Sequence, residues 1–149
     1  MDVPSRDLTA ADLELIELAR QIVDANTDGE YGNHTMGAAV RAADGSMYSG
    51  INVYHFTGGP CAELVALGHA RASGARELTT IAAVGNCGRG LQSPCGRCRQ
   101  VLFDQHPHIR VILPTPVGIR SVQIEDLMPL GYVWPDDQEP QGPGSDDQA

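Results

Sequence analysis

A chain of 149 residues with 42% hydrophobic content fits one domain around one core. A formal net charge of −9 argues against polyanionic partners, because strand binding runs on Lys and Arg contacts to phosphate. The balance stays acidic without the carboxylates after Trp134, and no apolar run reaches the ~18 residues of a membrane span, so neither nucleic acid nor membrane is expected as a partner.

Met1 to Asp7 lack a positive region followed by an apolar stretch, so no signal peptide is read and a cytoplasmic location is expected. Thr9 is placed as a helix N-cap with Asp12 in the first turn, and Leu15, Leu18, Ala19, Ile22 and Val23 follow at helical spacing. Asn26 to Asn33 reads as a polar loop. Met36 to Arg41 and Met47 to Asn52 read as two strands joined at Asp44-Gly45, a strong hairpin signal. A tight loop over 57–60 leads to a helix from near Cys61 to Arg71. Leu78 to Val84 is a buried type of strand, 85–93 a loop, and Pro94 starts a helix running to about Gln105. Arg110 to Leu113 is a strand, and Pro114-Thr115-Pro116 is expected to break the chain. Gly118 to Gln123 is read as a last strand, with a helical turn over Ile124 to Pro129. The folded domain is expected over 1–134, and 135–149, rich in Pro, Gly, Gln and Asp, as a disordered acidic tail. The order predicts an α/β sandwich whose sheet is mixed, with a hairpin first and parallel neighbours after it.

Two cysteine motifs stand out, Cys61-Ala62-Glu63 and Pro94-Cys95-Gly96-Arg97-Cys98. Four cysteines in this length are too few for a disulfide scaffold, and close spacing in a reducing compartment points to metal or redox work. Cys61, Cys95 and Cys98 can hold one Zn²⁺ and leave its fourth position for water. Glu63, two residues after the first ligand, is placed to move that water's protons, a task that calls for partial burial. Both motifs fall at expected helix starts. Free N–H groups and partial positive charge there relieve the negative charge of three thiolates on one Zn²⁺. A purely structural zinc site normally uses four protein ligands, which would require Cys87 as the fourth; Cys87 is read instead as an incidental loop thiol.

The segment from Gly50 to Leu64, the segment from Ser93 to Leu102, and Gly131-Tyr132-Val133-Trp134 together resemble the blasticidin-S deaminase branch of the cytidine deaminase superfamily. The pattern of a first ligand, x, Glu, then Pro-Cys-x-x-Cys is that of zinc deaminases. The resemblance implies a three-layer α/β/α sandwich with a mixed five-stranded sheet, one catalytic zinc and a homotetramer. It implies Cys61, Cys95 and Cys98 as ligands, Glu63 as catalytic acid and base, and residues 1–134 as a zinc-dependent deaminase domain. Its substrate is a small cytosine nucleoside or nucleoside antibiotic, attacked by water: blasticidin S first, cytidine or deoxycytidine as the alternative, with a non-catalytic zinc-stabilised binding protein behind both. Asn52, Tyr54, Ser93, Tyr132 and Trp134 are the expected substrate-binding residues; for Tyr132 and Trp134 a place at a subunit interface stays open. His55 and Phe56 are expected to line or support the pocket. Ordinary cytidine deaminases show Asn-x-Glu where this chain has Asn52-Val53-Tyr54, and Arg after Cys-Ala-Glu where it has Leu64. Arg97 or Arg99 is the candidate to supply that missing positive charge, the alternative being that Arg97 simply faces solvent. His34-Thr35-Met36-Gly37 replaces a segment in which the branch carries a tyrosine.

Overall fold

The computed structural model describes residues 1–133; Trp134 and the expected tail over 135–149 lie outside the described residues. Helix α1 (Ala10–Asn26) starts at a full capping box: Thr9 Oγ1 accepts from the Asp12 N–H, and the Asp12 carboxylate accepts from the Thr9 N–H. That reciprocal pair satisfies two of the N–H groups a helix start leaves free. Strands β1 (Met36–Ala42) and β2 (Met47–Ile51) form the expected antiparallel hairpin. Gly45 turns it with a φ of 92°, and the Asp44 carboxylate accepts from the Ser46 N–H. Helix α2 (Ala62–Ala72), strand β3 (Leu78–Gly85), strand β4 (Gly90–Leu91) and helix α3 (Gly96–Gln105) follow. Strands β5 (Arg110–Thr115) and β6 (Gly118–Gln123) and a 3-10 turn (Ile124–Leu127) complete the order.

The five long strands run in the order β2-β1-β3-β5-β6, mixed in direction as expected. Among the described residues only β3 and β5 are parallel neighbours, with α3 as their crossover. Two departures stand out. β4, inside the expected loop, pairs with Val84 and Gly85 beyond the point where the β5 ladder ends. Pro114 and Thr115 do not break the chain but continue β5, and the turn comes at 116–117. Proline is tolerated at Pro114 because β3 pairs only with Arg110 to Ile112, so no β3 partner is lost there.

Side chains alternate across the sheet with period two. Ala39, Ala82, Val84 and Ile112 face Leu15, Ala19 and Val23 of α1. Ala38, Val40, Ile81, Ala83 and Val111 face α2 and α3 on the other side. The result is three layers, α1, sheet, then α2 with α3. No helix among the described residues is long and apolar enough to cross a membrane.

Candidate metal centre

The two cysteine motifs meet because both open a helix on the same face of the sheet. Cys61 is the N-cap of α2 and Cys95 the N-cap of α3. These positions usually hold Ser, Thr, Asp or Asn, whose oxygens bond the free N–H groups of the first turn. A thiol does the same here: Cys95 Sγ accepts from the Cys98 N–H at 3.5 Å. Cys98, one turn into α3, is fully buried. Cys61 Sγ and Cys95 Sγ lie 3.7 Å apart, and the sulfurs of Cys61, Cys95 and Cys98 all fall within 4.8 Å of one another. Tetrahedral zinc with bonds of about 2.3 Å places its sulfurs about 3.8 Å apart, so this trio is spaced to hold it, and soft thiolates favour it. Among the described residues Cys87 is not part of this cluster; it is exposed, in a turn, with a φ of 55°.

Charge around the sulfurs is arranged by Arg97. Its guanidinium donates to Cys61 Sγ at 3.4 Å and to the Gly59 carbonyl at 2.8 Å. The Cys61 contact holds the guanidinium pKa above its ordinary value. Arg97 thus takes the place left open by Leu64. Arg99 instead holds backbone, donating to the Pro94 carbonyl at 2.9 Å and the Leu127 carbonyl at 3.5 Å. Burial pushes the Cys95 thiol up, but hydrogen bonds from Cys98, Cys61 and the Arg97 N–H outweigh it and leave the thiol below its usual range. Burial, then the neighbouring Glu63 carboxylate, push the Cys98 thiol well above its usual range. Glu63 sits in the first turn of α2, buried to 6% exposure, and Cys98 Sγ donates to its Oε2 at 3.3 Å.

Above the sulfurs opens a cavity of about 330 Å³ lined in part by Cys61, Glu63 and Cys95. Asn52, Tyr54 and Ser93 of the expected substrate residues also line it. Met36 and Gln92 line it too, although no local sequence signal marked them. Tyr132 is outside this lining; it is exposed, and its carbonyl accepts from Gln100 Nε2 at 3.0 Å. His55 and Phe56 stack on each other with ring centroids 4.4 Å apart, Phe56 projecting to solvent. A larger hollow of about 630 Å³ lies between the C-terminal ends of α2 and α3, lined by residues such as Leu67, Arg71 and His106. It lies at the helix ends opposite the sulfur cluster and holds none of it; the smaller cavity is the one that adjoins the sulfurs.

Asn52 is oriented by backbone far from it in sequence. Its Oδ1 accepts from the Thr35 N–H at 2.7 Å and the Met36 N–H at 2.9 Å, while among the described residues its Nδ2 reaches only Thr35 Oγ1, at 3.4 Å. The replaced segment His34 to Gly37 is therefore the one that fixes the Asn52 amide.

The family model for the cytidine and deoxycytidylate deaminase zinc-binding region matches residues 10–113. The chain is 31% identical over 135 residues to a blasticidin-S deaminase of Bacillus cereus, covering 85% of this chain and 95% of that relative. It is 34% identical over 110 residues to a cytidine deaminase of Halalkalibacterium halodurans, covering 71% of this chain and 83% of the relative. Among solved structures, a cytidine deaminase from Burkholderia pseudomallei superposes with a TM-score of 0.66 at 33% identity, over 84% of this chain and all of the other. A cytidine deaminase from Mycobacterium tuberculosis gives 0.68 at 27% identity, covering 86% of this chain and 100% of that one.

Proposed function

The chain belongs to the cytidine and deoxycytidylate deaminase family, zinc-dependent hydrolytic enzymes, and from that premise we propose that it deaminates the cytosine ring of a small nucleoside-like molecule, blasticidin S first. The carrying observation is the buried carboxylate of Glu63 beside three converging sulfurs at one wall of a cavity. Cys61, Cys95 and Cys98 would hold the metal. Zinc bound there supplies a Lewis acid that brings the pKa of water toward about 7. Glu63 accepts a proton from the attacking water on a carboxylate oxygen. The water oxygen adds to the ring carbon that carries the amino group, and Glu63 passes the proton to the adjacent ring nitrogen. The carbon–nitrogen bond to the amino group then breaks, ammonia leaves with a proton relayed by Glu63, and the ring keeps a carbonyl. Ser93 and the backbone near Cys95 hold the base, with Asn52 and Tyr54 on the side of its substituent.

Blasticidin S is preferred on two observations. The match to a blasticidin-S deaminase spans nearly its whole length, and Tyr54 stands where a ribose-gripping carboxylate is expected in ordinary cytidine deaminases. Cytidine or deoxycytidine is the second reading, favoured by the cytidine deaminases among relatives and solved structures. A cytoplasmic location belongs to the same proposal, since a reducing compartment keeps three thiols free for metal. So does a homotetramer.

The test mixes zinc-loaded protein with blasticidin S, cytidine and deoxycytidine and follows loss of the cytosine absorbance. Turnover is expected with the highest kcat/KM on blasticidin S; turnover of cytidine alone would end the blasticidin S reading. Glu63→Gln should stay folded and zinc-loaded while kcat falls by about 10²–10⁴-fold, the usual share of general acid–base catalysis. Unchanged turnover removes Glu63 from the mechanism, whereas a zinc-loaded parent that turns over none of the three compounds favours a non-catalytic zinc protein.

A further inference from the structure

Asn86 is a fully buried polar side chain that the mechanism does not use. Its amide is saturated. Nδ2 donates to Thr27 Oγ1 and to the Gly29 carbonyl, both at 2.9 Å. Oδ1 accepts from Arg89 at 3.2 Å through Nε and 3.0 Å through a terminal nitrogen. A buried amide with every valence filled fixes one arrangement of its partners. The partners of Nδ2, Thr27 and Gly29, belong to the loop between α1 and β1. The Asn86 N–H donates to the Thr35 carbonyl at 2.9 Å, and the Arg89 guanidinium donates to the same oxygen at 2.7 Å. Arg89 crosses over Gly85, where a Cβ would stand 2.9 Å from the guanidinium carbon. The loop is thus clamped from the β3 side at Thr35. On its other side the Thr35 and Met36 N–H groups hold the oxygen of Asn52 in the cavity wall.

We propose that Arg89 and Asn86 are positioning residues that act through Thr35 to lock the Asn52 amide, so that the pocket presents its Nδ2 donor and withholds its oxygen. This rests on the reading of the cavity as the substrate site. Both acceptor positions of Asn52 Oδ1 are filled by backbone N–H groups, and among the described residues Nδ2 has one long contact only. The ligand class that fits is a cytosine carrying a substituent with a hydrogen-bond acceptor at this wall, such as an ether, hydroxyl or carboxylate oxygen. A substituent offering only donors would leave Nδ2 unmatched, and a mismatched polar pair in a pocket discriminates more sharply than a missing methylene.

Two measurements on the zinc-loaded protein test the clamp. Hydrogen exchange at the Thr35 and Met36 amides should quicken about tenfold in Arg89→Met, with Arg89→Lys between it and the parent, the scale expected for one lost hydrogen bond to a charged group. Kinetics on the better of blasticidin S and cytidine should show KM raised about tenfold in Arg89→Met, with kcat within about twofold. The same variant placed on Asn52→Ala should add nothing further, as for residues acting through one contact. Unchanged exchange at Thr35 and Met36, or additive KM effects in the double variant, overturns the proposal. A parent protein inactive on both nucleosides would remove the deaminase reading alone, and the exchange measurement would still decide the clamp.

Discussion

Cys87 and Cys95 are both exposed cysteines near the ends of neighbouring elements, yet only Cys95 stands among other sulfurs. The difference predicts opposite outcomes for similar changes. Cys95→Ala removes one of three thiolates and, because metal binding is coupled to folding, should drop zinc below one equivalent per chain and lower the unfolding temperature. Cys87→Ser should leave both unchanged. Elemental analysis with a thermal melt checks this, and equal zinc in the two variants would strip Cys95 of its ligand role. The sulfurs and Glu63 were legible in the sequence because their relation is local: each motif spans a few residues at a helix start. The choice between Arg97 and Arg99 was not, since it turns on which guanidinium reaches the Gly59 carbonyl and Cys61 across the fold. Nor was the orientation of Asn52, set by N–H groups 16 and 17 positions away.

At the scale of elements, the site depends on how closely α2 lies on β2. Gly50 makes that approach possible: a Cβ there would stand 2.4 Å from the Ala66 nitrogen and 2.8 Å from the Ala62 carbonyl oxygen. Both are backbone atoms of α2, which cannot swing aside as a flexible side chain would. Gly50→Ala should therefore push α2 outward at a cost of about 1–3 kcal/mol, the range for overpacking. Urea unfolding of the zinc-loaded protein measures it, and a neutral or stabilising result would mean that α2 shifts freely. Because α2 also carries Cys61 and Glu63, turnover should fall along with stability. Helices and strands with strong periodicity, α1, the β1–β2 hairpin and β3, followed from the sequence to within a residue or so. The lapses came where pairing overrode local preference. Pro114 stays in β5 because β6 continues to pair with it through Ile119, and β4 exists only because Val84 and Gly85 extend past β5. Local composition carries no record of which strand end lacks a neighbour.

Across the whole molecule the apolar surface is unevenly placed. Tyr54, at the cavity, is 65% exposed, and Phe56, two residues on, 87%. Val53 joins them on the same loop, and Tyr132 and Val133 are exposed at the end of the described chain. Aromatic side chains bury about 150–250 Å² each when covered, so a few of them supply much of the ~800 Å² per partner of a stable interface. A second copy of the chain is the covering expected of a homotetramer. With 15.9 kDa per chain, sedimentation should give about four times that mass at micromolar concentration. Phe56→Glu should shift it downward, because the variant buries a charge where a ring was; an unchanged mass would exclude Phe56 from the contacts. Salt gives an independent reading. Each chain carries a net charge of −9, so assembly would bring like charges together, and apolar contact is the expected holding force. Screening grows as the Debye length falls from about 30 Å at 0.01 M to about 10 Å at 0.1 M salt. The assembled fraction should accordingly rise over that interval at fixed protein concentration. A fall would mean that the copies are joined by ion pairs, and would move the interface away from the Phe56 loop.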